Sequence, residues 1–138
     1  MQLRGVIRDQ WHIVAACDSG GDCPLLDFLG SFEEPGDVEA RKMMALIKWT
    51  SRYGPPKNKE KSNALGDDIF ELKTTSFRVL YFFDQDRLIV CSHGFRKKTR
   101  RCPPTEKAFA VRVRRDYFQA KKQGGLVFLD ERKGCSGE

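Results

Sequence analysis

Residues able to hold and cleave a phosphodiester cluster in the middle of this sequence. Lys73, Arg78 and His93 come first, and Arg96, Lys97, Lys98, Arg100 and Arg101 follow directly. The stretch His93-Gly94-Phe95-Arg96-Lys97-Lys98-Thr99-Arg100-Arg101 carries five fixed positive charges in nine residues, the densest cationic segment of the chain. Guanidinium groups bind phosphate bidentately and lysines bind it as point charges, so phosphate capture is the chemistry these types predict. A histidine beside such cations is biased towards the neutral imidazole, which accepts a proton near neutral pH. The plainer reading is a strand histidine that only makes structural hydrogen bonds, with Glu71 and solvent satisfying Lys73 and Arg78. Cys91 and His93 fall at i, i+2 on one expected strand face. A metal site needs further ligands that no other spacing supplies, so no metal and no other cofactor is expected.

The elements that must position these residues follow from periodicity. Trp11 to Ala16 predicts a first strand, ended by Asp18-Ser19-Gly20-Gly21-Asp22. A short helix opens at Pro24, with Leu25, Leu26, Phe28, Leu29 and Phe32 as its apolar stripe up to Pro35-Gly36. Asp37 then caps a longer helix with Met43, Leu46, Ile47, Trp49 and Tyr53 expected inward, closed by Gly54-Pro55-Pro56. Pro55 to Asp68, with Lys57, Lys59 and Lys61, reads as a loop. Three strands follow as an antiparallel meander: Ile69 to Lys73, Phe77 to Asp84 and Arg87 to Phe95. A helix from Pro103-Pro104 to about Gln123 ends at Gly124-Gly125, and Leu126 to Leu129 adds a short strand. The fold class expected is α+β, in one domain spanning residues 1–138: an N-terminal strand and helical hairpin on an antiparallel sheet of three to four strands, with a C-terminal helix.

With two-residue turns at Thr75-Ser76 and Gln85-Asp86, Lys73 pairs with Arg78, Asp84 with Arg87, and Arg78 with His93. One face then collects Phe70, Leu72, Val79, Tyr81, Phe83, Leu88 and Val90 for the helical hairpin to cover. The other collects Glu71, Lys73, Arg78 and His93, beside Leu80, Phe82, Ile89, Cys91 and Phe95. A row Lys73–Arg78–His93 would cross three strands. Lys73 opposite Arg78 is repulsive unless an anion lies between them.

Composition narrows the class. At 138 residues with 40% hydrophobic content, the chain has enough apolar material for a packed core and is too apolar for intrinsic disorder. No apolar run approaches membrane-spanning length, and the N-terminus lacks a secretory h-region, so no membrane association is expected. Five cysteines without a C-x-x-C pair fit neither a disulfide framework nor a zinc ribbon and point to a reducing cytoplasm. The net charge of +6 is lopsided: residues 1–69 carry nine basic against eleven acidic side chains, and residues 70–138 carry sixteen against eight. The basic half suits a polyanion or an acidic protein.

In order and spacing, Phe70-Glu71-Leu72-Lys73, Phe77-Arg78-Val79-Leu80-Tyr81-Phe82, His93 to Thr99 and the proline-initiated helix with Ala108 and Ala110 resemble the RelE/HigB toxins, specifically their phage-derived HigB-like branch. The resemblance runs from the first strand to about Gln123, leaving residues 124–138 outside it. It implies a RelE-like fold and a cytoplasmic, ribosome-dependent endoribonuclease held inactive by an antitoxin of helix-turn-helix fold. The ribosome and messenger RNA are its other implied partners. In this chemistry a ribose 2′-hydroxyl attacks the adjacent phosphate, without a metal. Arg78 and Arg96 match family basic positions, Lys97 and Lys98 the branch's double lysine, and Lys73 a place usually held by arginine. Glu71 stands where RelE has a lysine, and Cys102 where it has a tyrosine.

The catalytic set expected is therefore Lys73, Arg78, His93, Arg96, Lys97 and Lys98, with Glu71, Arg100, Arg101 and Arg115 along the RNA path. The competing readings are a non-catalytic relative of the ParE type that binds DNA gyrase, and an inactive prophage-derived protein that binds only its antitoxin.

Overall fold

The computed structural model describes residues 1–31 and 37–130. The expected positions Phe32, Pro35-Gly36 and Cys135 lie outside the described residues. The chain runs β1 (Gln2–Arg8), β2 (His12–Ala16), α1 (Pro24–Gly30), α2 (Val38–Tyr53), β3 (Ser62–Gly66), β4 (Ile69–Lys73), β5 (Phe77–Asp84), β6 (Leu88–Arg96), α3 (Pro104–Lys122) and β7 (Val127–Leu129). The class is α+β. In place of three or four antiparallel strands, however, the sheet is mixed and seven-stranded among the described residues, ordered β3-β4-β5-β6-β2-β1-β7. β2 pairs parallel to β6, and β7 parallel to β1.

β6 is the central strand, and both faces of the sheet around it are covered. On one side α1 and α2 bury Leu25, Leu29, Met43 and Ile47 against Leu72, Val79, Tyr81, Ile89 and Cys91. On the other, α3 buries Ala110 and Tyr117 against Leu3, Val14, Ile69, Leu80, Phe82 and Val90. Burial on both faces explains why Phe77 to Phe83 is apolar almost throughout instead of alternating. Tyr117 also anchors α3 by donating to an Asp84 carboxylate oxygen at 2.6 Å.

Two strands sit where none was expected. β1 reads poorly because Gly5, Arg4 and Arg8 interrupt it, yet Leu3 and Gly5 are buried in alternation and the strand forms a hairpin with β2. β3 falls within the expected 55–68 loop. Its sequence Ser-Asn-Ala-Leu-Gly has weak strand propensity, and it is held as a sheet edge by its pairing with β4. Asp67 and Asp68 form the connecting turn with φ of 55° and 61°, the left-handed geometry of a primed hairpin turn.

α2 begins as expected, with an Asp37 carboxylate oxygen accepting from the Ala40 amide at 3.1 Å, and ends at Gly54, whose φ of 88° suits glycine. Met43, Leu46 and Ile47 face inward. Trp49 and Tyr53 do not: they are 46% and 63% exposed, on the flank of the helix away from the sheet. Cys17 and Cys23 pair as a disulfide, against the free-thiol expectation. The tight turn built on Asp18, whose side chain accepts from the amides of Gly20 and Asp22, brings the end of β2 back to the start of α1.

The β5–β6 register is the main correction. The turn holds three residues, Gln85, Asp86 and Arg87, so Asp84 pairs with Leu88 and not Arg87. This turns Leu88 and Val90 to the α3 side and Ile89 and Cys91 to the hairpin side, opposite to expectation. A bulge at Ser92 then shifts the pairing once more, so that Leu80 opposes His93 and Arg78 opposes Phe95. The two shifts restore His93 to the face of Arg78 and separate it from Cys91. Lys73 opposes Arg78 as expected.

Candidate active site

The shared face carries two neighbouring rows, Glu71–Leu80–His93 and Lys73–Arg78–Phe95, in place of the single row Lys73–Arg78–His93. It is not open. α3 starts at Pro104 and lays its first turn over it, leaving Arg78 6%, Glu71 6% and His93 7% exposed.

Arg78 is held from several sides. Its Nη1 donates to the carbonyls of Thr74 at 2.7 Å and Phe77 at 2.9 Å, and its Nε lies 3.6 Å from Glu71 Oε1. Lys73, half-buried on the next strand, turns its ammonium to the Lys59 carbonyl at 3.0 Å. The expected Lys73–Arg78 repulsion is thus relieved by Glu71 and a loop carbonyl, without an intervening anion.

His93 is bonded through both ring nitrogens. Nε2 lies 3.0 Å from Glu106 Oε1 and Nδ1 lies 2.9 Å from Ser92 Oγ. A carboxylate only accepts, so in the neutral ring Nε2 carries the proton and Nδ1 accepts from the Ser92 hydroxyl. Burial lowers the His93 pKa, and the Glu106 hydrogen bond and charge oppose that shift. The neutral imidazole expected from nearby cations is therefore favoured by desolvation instead. Cys102 lies near both Glu71 and Glu106, and its thiol is pushed up to about 11 by burial and by those two carboxylates.

Glu106 and Ser92 are the participants missed in the sequence. Glu106 was legible as an acid in the first turn of a proline-initiated helix, a position favoured by the helix dipole. Ser92 joins His93 only because the bulge breaks strand alternation, which no local pattern announces.

The basic segment leaves this covered face at the end of β6. Gly94 lets α1 cross it closely: a Cβ there would meet Phe28 Cδ2 at 2.7 Å. Arg96 is exposed with its guanidinium 5.0 Å from the Phe77 ring centroid, and Lys97 begins the exit by donating its amide to the Ser76 carbonyl at 2.7 Å. Lys98, Arg100 and Arg101 are exposed and Lys97 is half-buried. Arg115 is not brought to the site. It lies nine residues past Glu106, about 13 Å along the helix, with its Nε 3.5 Å from Asp116. On the same helix Lys107, Arg114 and Lys121 are tethered to Asp67, Asp68 and Asp84.

The family profile described as Phage derived protein Gp49-like (DUF891) matches residues 27–115, from within α1 through most of α3 and including every site residue above. That span is well over half of the chain. The chain belongs to the phage-derived Gp49-like family. This family lies within the RelE/ParE-like toxin superfamily. None of the curated proteins matches the chain. Within this Gp49-like protein the matched region excludes β1, β2 and β7. No helix among the described residues is long and apolar enough to cross a membrane.

Proposed function

We propose that this Gp49-like protein is the toxin of a toxin–antitoxin pair and cleaves translated messenger RNA by 2′-hydroxyl attack. The observation that carries the reading is a histidine with its tautomer set by Glu106, on the same sheet face as Arg78 and three residues before Arg96-Lys97-Lys98. In the reaction the 2′-oxygen bonds to phosphorus, the P–O5′ bond breaks, and the 2′-hydroxyl proton passes to His93 Nδ1. The 5′-oxygen leaves with a proton from water or a neighbouring ammonium group, giving a cyclic phosphate and a 5′-hydroxyl. Arg96, Lys97 and Lys98 hold the phosphate and balance the charge that builds on it. Ser92 occupies Nδ1, so engagement of RNA requires the Ser92 hydroxyl to swing off and the covering to open on the Nδ1 side, while Glu106 keeps its hydrogen bond to Nε2. Arg78 and Glu71 form the charged floor beneath the reacting group. An antitoxin of helix-turn-helix fold and the ribosome are the partners this reading implies.

A second reading is favoured by one observation. Arg78 is buried, and its guanidinium is bonded to two carbonyls and paired with Glu71, as expected of a structural arginine in a module that binds a protein, whether gyrase or only an antitoxin. Inducing the chain in bacteria and mapping RNA ends separates the two. Cuts confined to translated messages, with 5′-hydroxyl ends, support the nuclease. Intact messages with damaged DNA favour gyrase binding, and intact messages with intact DNA favour antitoxin binding alone.

A further inference from the structure

A groove of about 740 Å³ lies on the far side of the β4–β5 turn from Arg78. Its floor is Ala45, Leu46 and Trp49 of α2, and the 55–61 loop and Thr74-Thr75 form its walls. Three lysines, Lys42, Lys57 and Lys61, line it without any acidic side chain. Lys42 is balanced by Glu39 at 3.3 Å. That carboxylate is already committed to the Ser76 amide, the Ser76 hydroxyl and the Thr74 hydroxyl. Lys57 and Lys61 have no carboxylate partner among the described residues. The groove therefore favours an anion.

The shape of its apolar part says which anion. Trp49 packs against Tyr53 with ring centroids 5.0 Å apart and the planes inclined at 46°, both rings are exposed, and Arg52 lies over Tyr53 at 5.8 Å. Flat aromatic surface beside cations is what single-stranded nucleic acid binds, because every base has a face to stack. Asn58, Thr74 and Thr75 add hydrogen-bonding groups for a base edge. Leu46 is buried, which leaves Trp49 as the large exposed side chain of the groove floor. The groove is also continuous with the basic exit strand: Thr74 and Thr75 wall it, and Ser76, next in sequence, accepts from the Lys97 amide.

We infer that this groove binds a base of single-stranded nucleic acid, stacked on Trp49 with flanking phosphates on Lys57 and Lys61. It is a second contact for the strand that runs along Arg96–Arg101, and in that path it rests on the proposed RNA reading.

The test is the binding of a fluorescein-labelled thymidine dodecamer, which lacks 2′-hydroxyls and so reports the groove whether or not the protein cleaves RNA. An abasic oligomer of the same length is the control. Trp49→Ala weakens dodecamer binding about tenfold or more and leaves abasic binding within about twofold. Lys57→Ala/Lys61→Ala weakens both and reduces the slope of log affinity against log salt by about 1.4. Trp49→Phe, which keeps a ring, retains most of the affinity. Circular dichroism verifies that each variant is folded, as expected at exposed positions. Failure of the wild-type protein to bind the dodecamer, or equal affinity in folded Trp49→Ala, overturns the inference. So does an acidic amphipathic peptide that binds with a dependence on Trp49 that the dodecamer lacks.

Discussion

Replacing Glu71 by leucine isolates the charge that Arg78 depends on. Both side chains are almost fully covered, and the ion pair spans 3.6 Å between Arg78 Nε and Glu71 Oε1. Removing one partner of a buried pair costs about 3–5 kcal/mol, mostly because the surviving charge is left uncompensated. Arg78 keeps its carbonyl contacts to Thr74 and Phe77, which places this case at the lower end, about 3 kcal/mol. For a chain of this length that is a fall in Tm of about 10 °C. Urea and thermal unfolding of the Glu71→Leu variant measure it. The double variant Glu71→Leu/Arg78→Met removes the orphaned charge and should recover part of the loss, a coupling of about 1 kcal/mol or more. A Tm within about 2 °C of wild type for Glu71→Leu, or no recovery in the double variant, would refute the claim that Arg78 is held as a buried charge under α3.

Three further outcomes follow from the same geometry. Gly94→Ala places a methyl group 2.7 Å from a Phe28 ring that packs on Phe77 at 4.8 Å, and should destabilise the fold by about 1–3 kcal/mol in urea unfolding. Although burial pushes the Glu39 carboxyl up, hydrogen bonds from the Ser76 amide and hydroxyl, Lys42 and Thr74 outweigh it and hold the pKa at about 2. Its contribution to stability is therefore full above about pH 4.5 and is lost as pH falls towards 2; Glu39→Gln should flatten the acid limb of the stability curve there. Because Glu106 raises the His93 pKa against burial, Glu106→Gln should move the acid limb of the RNA-cleavage profile to lower pH, whereas His93→Gln removes that limb and about a hundredfold of the rate on the plateau above it.

The meander was legible because its strands carry β-branched and aromatic runs bounded by turn residues, and Lys73 opposite Arg78 followed from a two-residue turn. The site behind it was legible only in part. His93 lies on the expected face through two register changes that cancel: a three-residue turn with Asp86 and Arg87 at positive φ, and the bulge at Ser92. The sequence pattern allows for neither, since Leu88, Ile89, Val90 and Cys91 are all apolar enough to face either core. That same two-sided apolarity hid the second layer. Leu80, Phe82 and Phe95, expected beside Arg78 and His93 on the face away from the helical hairpin, are the floor on which α3 packs. β3 went unread because an edge strand of Ser, Asn and Ala owes its form to its neighbour and not to its own propensity. Trp49 and Tyr53 fit a helical stripe in spacing, but the structure leaves both exposed.

The central claim is tested most directly by incubating the purified protein with ribosomes programmed with a defined message and identifying the chemistry of the new ends. The account predicts cleavage within the translated region that leaves a 2′,3′-cyclic phosphate and a 5′-hydroxyl. It also predicts a loss of about a hundredfold in His93→Gln with ribosome binding retained, and a milder defect in Glu71→Gln. No cleavage by the folded wild-type protein, or a deeper defect in Glu71→Gln than in His93→Gln, would contradict it.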